Sequence, residues 1–167
     1  MSPSRNKLLG LVADANVLID YARSDESILM LISHHVGTVH IPSPVFEEVH
    51  DLSGKDITRL DIKIVEPTLE QVLKAQAGEG RTSFQDRLCF VVAQDAGWSV
   101  LTNDTALRNT CSGADIPCLW GMEAMAILVK TKHLPAERAM AIAERIASIN
   151  SFITDRVLEQ FRSKIYL

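Results

Sequence analysis

The sequence predicts an α/β fold with three layers (α/β/α), in which a mainly parallel central sheet lies between helices, and additional helices at the C-terminus. Short apolar runs alternate with stretches of helical spacing along the chain up to about residue 120. Repeated strand and helix units favour parallel strands, because each crossover helix returns the chain to the same end of the sheet. The first run, residues 8–13, is uninterrupted, as is typical of a strand buried on both faces.

Each element follows from local spacing and from the residues that bound it. Gly37, Gly78 and Gly97 each follow a helical stretch, and Pro44 suits the first position of a helix. Thr82 and Gln85 have the spacing of a capping box. In chain order we predict a strand at 8–13, helices at 17–22 and 28–36, a strand at 38–41, a helix at 44–52, a strand at 62–65, helices at 68–77 and 84–96, strands at 99–102 and 116–120, and two or three helices from 122 onward.

The composition predicts one folded domain over residues 1–167, with a helical C-terminal extension at about 121–167. Hydrophobic residues make up 47% of the chain and charged residues 23%, which supplies enough apolar surface for a core. No N-terminal signal or membrane-spanning pattern is present, so we expect a cytoplasmic protein without a membrane partner. The net charge of −4 argues against a broad basic surface for nucleic acid, so chemistry on nucleic acid would need metal ions.

Four acidic residues are candidates for one catalytic site. Asp14 and Asp104 follow predicted strands at their carboxyl ends, where ligands bind in open parallel sheets. Glu48 lies in the helix after the second strand and Asp86 in the first turn of its helix, so both can face the same edge. Clustered carboxylates repel one another unless cations lie between them, and Mg²⁺ or Mn²⁺ prefers such oxygen ligands. Phosphodiester hydrolysis is the chemistry that such a site would perform.

Each acid also has a purely structural interpretation. Asp14 would cap the following helix, and Asp86 would favour the positive start of its helix. Asp104 would shape a turn, and Glu48 would be a solvated helix residue. Position along the chain does not decide between the catalytic and structural interpretations.

The four acids occur within four short motifs. These are VADANVLID at 12–20, IPSPVFEEV at 41–49, TSFQD at 82–86 and VLTND at 100–104. Together and in this order they resemble the motifs of PIN-domain nucleases, a family that includes the VapC-like toxin ribonucleases of bacterial type II toxin–antitoxin pairs. The resemblance covers about residues 8–120 and implies a PIN-like fold, an RNA substrate, a Mg²⁺ or Mn²⁺ cofactor and an antitoxin partner.

The resemblance also assigns roles to particular residues. Its catalytic metal ligands would be Asp14, Glu48, Asp86 and Asp104. The family acid in the second motif precedes an aliphatic residue, which favours Glu48 and leaves Glu47 as the fallback. Two further residues, Asn16 and Thr102, would support the site by orienting a carboxylate or a bound water.

Other functions and partners stay open. A PIN-like fold can serve as a non-catalytic module that binds nucleic acid or protein. Haloacid-dehalogenase-like phosphatases also place an acid after the first strand, but they have a metal ligand two residues on, where this chain has Asn16. Apolar positions between residues 142 and 161 exceed what one domain must bury, which predicts a homodimer or packing against an antitoxin.

Overall fold

A computed structural model describes residues 7–78 and 80–166, and it contains five strands and ten helices in these ranges. The strands are β1 (Leu8–Ala13), β2 (Gly37–Pro42), β3 (Lys63–Val65), β4 (Ser99–Leu101) and β5 (Cys118–Leu119). The helices are α1 (Ala15–Ser24), α2 (Ser27–His35), α3 (Ser43–Phe46), α4 (Gly54–Arg59), α5 (Leu69–Ala77), α6 (Phe84–Ala96), α7 (Thr105–Gly113), α8 (Gly121–Lys130), α9 (Ala136–Ile149) and α10 (Asp155–Ile165).

The strands form one sheet in the order β3-β2-β1-β4-β5, and every neighbouring pair is parallel. The predicted α/β/α fold with a parallel sheet is therefore confirmed. The chain builds the sheet from β1 to β3 in one direction and then crosses back to place β4 on the other side of β1. This reversal creates a crevice at the carboxyl ends of β1 and β4, which is where open α/β sheets bind ligands.

The centre of the sheet is buried. Leu11, Val12 and Ala13 of β1 are fully buried, as are Val100 and Leu101 of β4. Apolar side chains from the flanking helices complete one hydrophobic cluster, and α8, α9 and α10 contribute to it. Among the described residues, no helix is long and apolar enough to cross a bilayer.

Two hydrogen bonds connect α9 and the turn after it to α1. Asn150 Nδ2 donates to Asp20 Oδ2 at 2.9 Å, and Arg145 Nη1 donates to the Ser24 carbonyl at 2.6 Å. The apolar positions that suggested a partner surface are mostly buried within the chain itself, namely Ile142, Ile146, Ile153 and Phe161. Their burial removes that argument for a second copy or an antitoxin.

The structure differs from the local predictions after β2 and at the start of α6. The helix predicted at 44–52 ends at Phe46, and the chain continues in tight turns in which Glu48 N bonds to the Val45 carbonyl. The helix α4 that follows was not predicted, although Ser53 and Asp56 form a capping box at its start. The cap of α6 is Ser83 rather than Thr82, because the Ser83 hydroxyl accepts from Asp86 N at 3.1 Å.

We predict that Gly10→Ala destabilises the fold through β1. A Cβ at this position would lie 2.7 Å from Trp98 Cδ1, and the Trp98 ring is held in a stack on His40 at 3.9 Å. The free energy of unfolding should fall by about 1–3 kcal/mol in urea denaturation. Gly54→Ala is the control, because nothing lies within 4 Å of a Cβ added at this position and alanine favours a helix. Equal stability of the two variants would contradict the packing argument.

Candidate active site

Asp14 is the first residue after β1 and is only 3% exposed. Its Oδ1 accepts from Val17 N at 3.0 Å and so caps α1. Its Oδ2 accepts a hydrogen bond from the Thr102 hydroxyl, and its backbone N donates to the Leu101 carbonyl at 3.2 Å. Asp14 therefore connects the ends of β1 and β4 with the start of α1 at the crevice.

Thr102 links Asp14 to Asp104. The Thr102 hydroxyl donates to Asp14 and accepts from Asp104 N at 3.0 Å. Asp104 in turn caps α7, because its Oδ1 accepts from Leu107 N at 2.8 Å. This chain of contacts is what the predicted supporting role of Thr102 requires.

Asp86 lies in the first turn of α6 and is half-buried. Burial raises the pKa of its carboxyl, and the negative charge of Asp104 raises it further. Bonds from Ser83 and the charge of Arg87 act in the opposite direction. Asp86 and Asp104 therefore share an electrostatic environment although they come from different helices.

Burial raises the pKa of Asp14 from 3.8 to about 7. The bonds from Thr102 and Val17 lower the pKa, but the charges of Asp86 and Asp104 raise it again. Asp86 and Asp104 thus act on Asp14, and Asp104 acts on Asp86, at the carboxyl edge of the sheet. No ion pair in the described ranges includes any of the three.

Glu47 and Glu48 lie in the turn after α3, and both are exposed. One of them, Glu48, acts electrostatically on a buried thiol. Cys89 of α6 has its Sγ 3.8 Å from the Ala13 carbonyl. Burial raises the pKa of Cys89, and the charges of Asp14, Asp86 and Glu48 raise it too. The charge of Glu48 therefore acts on the same buried thiol as the charges of Asp14 and Asp86.

Asn16, the other predicted supporting residue, is exposed in the first turn of α1. In the described part of the chain its side chain makes no hydrogen bond. It lines, with Asp104, a groove of about 890 Å³ that runs from the crevice to the C-terminal helices. Its predicted role in orienting a ligand stays a prediction.

Two residues of this region make contacts that the sequence did not predict. Asn103 Oδ1 accepts from Gly121 N at 2.9 Å, which fixes the start of α8 beside the crevice. Trp120 lines the groove. The Arg108 guanidinium lies 3.8 Å from the centre of its ring. Motif and strand-end signals could not reveal either contact, because both depend on where α8 returns to the sheet.

The donors of this site suit a hard divalent cation in their chemistry. Asp14, Asp86 and Asp104 offer carboxylate oxygens, the ligands that Mg²⁺ and Mn²⁺ prefer. Across residues 7–78 and 80–166, however, no three His, Cys, Asp or Glu side chains are arranged closely enough to hold a metal. To share one ion, the three aspartates would have to approach one another more closely.

Comparison with known proteins adds no relative. The chain matches no protein-family model, and no curated protein matches it. The resemblance to PIN-domain nucleases is therefore carried by the four motifs alone.

We predict that Asp14→Asn stabilises the protein at alkaline pH in the presence of a chelator. The pKa of Asp14 is about 7 in the folded state against 3.8 in the unfolded chain, so folding opposes its ionisation. The wild-type protein should lose stability relative to the variant as pH rises from about 4 to 7, by at most about 4 kcal/mol. Asparagine keeps the volume and the helix cap. Urea denaturation at several pH values measures the difference, and a difference that does not change with pH would contradict the burial argument.

Proposed function

We propose that the protein is an endoribonuclease that hydrolyses RNA phosphodiester bonds with Mg²⁺ or Mn²⁺. The observation that carries the proposal is the group of three aspartates at the sheet reversal, where Thr102 links the buried Asp14 to Asp104 and the charges of Asp86 and Asp104 raise the pKa of Asp14. Neighbouring carboxylates without a paired cation are suited to binding a metal ion. Glu48 is the fourth acid of the proposed site.

The polypeptide would supply fixed anionic ligands. Asp14 and Asp104 follow neighbouring strands and cap the helices after them, so their backbone positions are set by the sheet. Thr102 orients one Asp14 oxygen and the Asp104 backbone. A divalent cation bound there would bind phosphate oxygens, activate water and stabilise the leaving alkoxide. Asp14 would release its proton when the cation binds, so metal affinity should rise with pH.

The remaining details rest on the motif resemblance. It favours RNA as the substrate and a role as the toxin of a type II toxin–antitoxin pair, inhibited by a cognate antitoxin. We also propose a cytoplasmic location, whereas the homodimer expected from the apolar positions of the tail has no support from the structure, because most of those positions are buried within the chain. A net charge of −4 fits this scheme, because cations at the site rather than a basic surface would offset the charge of the RNA.

We predict that Asp14→Asn and Asp104→Asn each reduce RNA cleavage at least about 100-fold, because each removes one charged ligand while keeping side-chain volume. Cleavage of a labelled RNA is measured with Mg²⁺, with Mn²⁺ and with a chelator, and the chelator should abolish it. Asp95→Asn is the matched control, since Asp95 is exposed at the opposite end of α6. Full activity in both site variants would refute the assignment, and metal-dependent RNA binding without cleavage would favour a non-catalytic module.

We predict that Glu48→Gln raises the Mg²⁺ concentration needed for half-maximal cleavage, whereas Glu47→Gln leaves it unchanged. The reason is that Glu48 acts on Cys89 together with Asp14 and Asp86, and that the motif resemblance favours Glu48 over Glu47. The two variants are matched, because both residues are exposed in the same turn. A Mg²⁺ titration of the cleavage rate checks the prediction. The reverse result would make Glu47 the fourth acid.

A further inference from the structure

Two thiols lie together where α7 meets β5, at one edge of the sheet. Cys111 is buried in the last turn of α7, and Cys118 is half-buried as the first residue of β5. The turn between them is tight, because Ile116 N donates to the Cys111 carbonyl at 2.9 Å. A hydrogen bond joins the two thiols. Cys111 and Cys118 are therefore within reach of each other in the folded protein.

The guanidinium of Arg108 lies close enough to act electrostatically on both thiols. Arg108 precedes Cys111 by three residues, so the two side chains lie on the same face of α7. Contact with the Trp120 ring, 3.8 Å from its centre, restricts where the guanidinium can lie. In the described part of the chain, Arg108 Nη1 is buried without a hydrogen-bond acceptor, and no carboxylate pairs with this side chain. An anion beside it would therefore be stabilised.

The two thiols differ in how readily they ionise. The hydrogen bond from Cys111 lowers the pKa of Cys118, and the charge of Arg108 lowers it further. Burial and the charges of Asp14 and Glu123 act in the opposite direction but do not reverse the shift. The same hydrogen bond, together with burial, raises the pKa of Cys111. Cys111 is thus the protonated donor, and Cys118 is the thiol that forms a thiolate, the form that reacts with oxidants.

We propose that Cys118 is a peroxide-reactive thiol with Cys111 as its resolving partner, so that hydrogen peroxide converts the pair into a disulfide between α7 and β5. The Cys118 thiolate attacks one peroxide oxygen, the O–O bond breaks, and hydroxide leaves a sulfenic acid on Cys118. The Cys111 sulfur then attacks the Cys118 sulfur, and the sulfenic oxygen leaves as water with the Cys111 proton. The two sulfurs lose two electrons in total, and with the proton of the Cys118 thiol the peroxide becomes two molecules of water.

The third cysteine is an internal control. Cys89 is buried, with its Sγ 3.8 Å from the Ala13 carbonyl. Burial and neighbouring carboxylates raise its pKa, so it should stay reduced under conditions that oxidise the pair.

The test treats the full chain with hydrogen peroxide under native conditions, stops the reaction with catalase and alkylates the remaining thiols in denaturant. Before treatment all three cysteines should be alkylated. After treatment the intact mass should show one alkyl group, on Cys89, and the loss of two hydrogen atoms. Peptide mapping should place the disulfide between Cys111 and Cys118, and a dithiol reductant should reverse it.

Variants separate the roles of the residues. Cys111→Ser should leave Cys118 as a sulfenic acid that dimedone traps, and Cys118→Ser should react with peroxide about 10-fold more slowly or less. Arg108→Gln should slow disulfide formation by about 3-fold or more, because the thiolate loses its positive neighbour. Arg108→Lys keeps the charge and should restore most of the rate. Arg156→Gln is the matched control, since Arg156 is exposed on α10.

Three results would overturn the inference. They are disulfide-linked dimers in place of a bond within one chain, oxidation of Cys89 as fast as that of Cys118, and an Arg108→Gln variant that reacts like the wild-type protein. None of the readouts involves RNA or a metal ion. The inference is therefore independent of the proposed function, and failure of either one leaves the other intact.

Discussion

Burial of the Asp14 carboxyl group between two parallel strands is the constraint on which the site depends. An ionisable group with 3% of its surface exposed needs donors, and here they come from α1 and from Thr102 after β4. An ordinary helix cap does not need this environment, since the exposed Ser53 caps α4 without being buried. The structural interpretation of Asp14 is thus correct but incomplete. It explains the bond to Val17 and leaves the burial and the neighbouring aspartates unexplained.

The sequence was informative where the signal is local. The apolar run of β1 placed Asp14 at a strand end, and the same reasoning placed Asp104 after β4. The order of the strands could not be predicted in this way, because pairing of β1 with β4 joins segments far apart in the chain. The link through Thr102 depends on that pairing. Its geometry therefore became visible only in the folded protein.

Other predictions failed because the same pattern is compatible with more than one structure. The apolar spacing of Val49 and Leu52 suggested a longer helix. Both side chains are buried, but the residues that carry them lie in irregular turns. Apolar positions between residues 142 and 161 suggested a partner surface, yet most of them pack within the chain, and the partner itself stays a prediction. Periodicity identifies which face of a segment is apolar, but it does not identify what covers that face.

The attachment of α9 and the turn after it to α1 affects the order in which the parts of the site form during synthesis. The wall of the groove at residues 150–161 belongs to the last described elements of the chain, while the aspartates belong to elements that leave the ribosome earlier. Domains fold as units during translation, and the bond between Asn150 and Asp20 can form only after residue 150 has left the ribosome. A nascent chain therefore has its carboxylates before it has its groove. Any ligand that needs the complete groove can therefore bind only after residues 150–161 have been made.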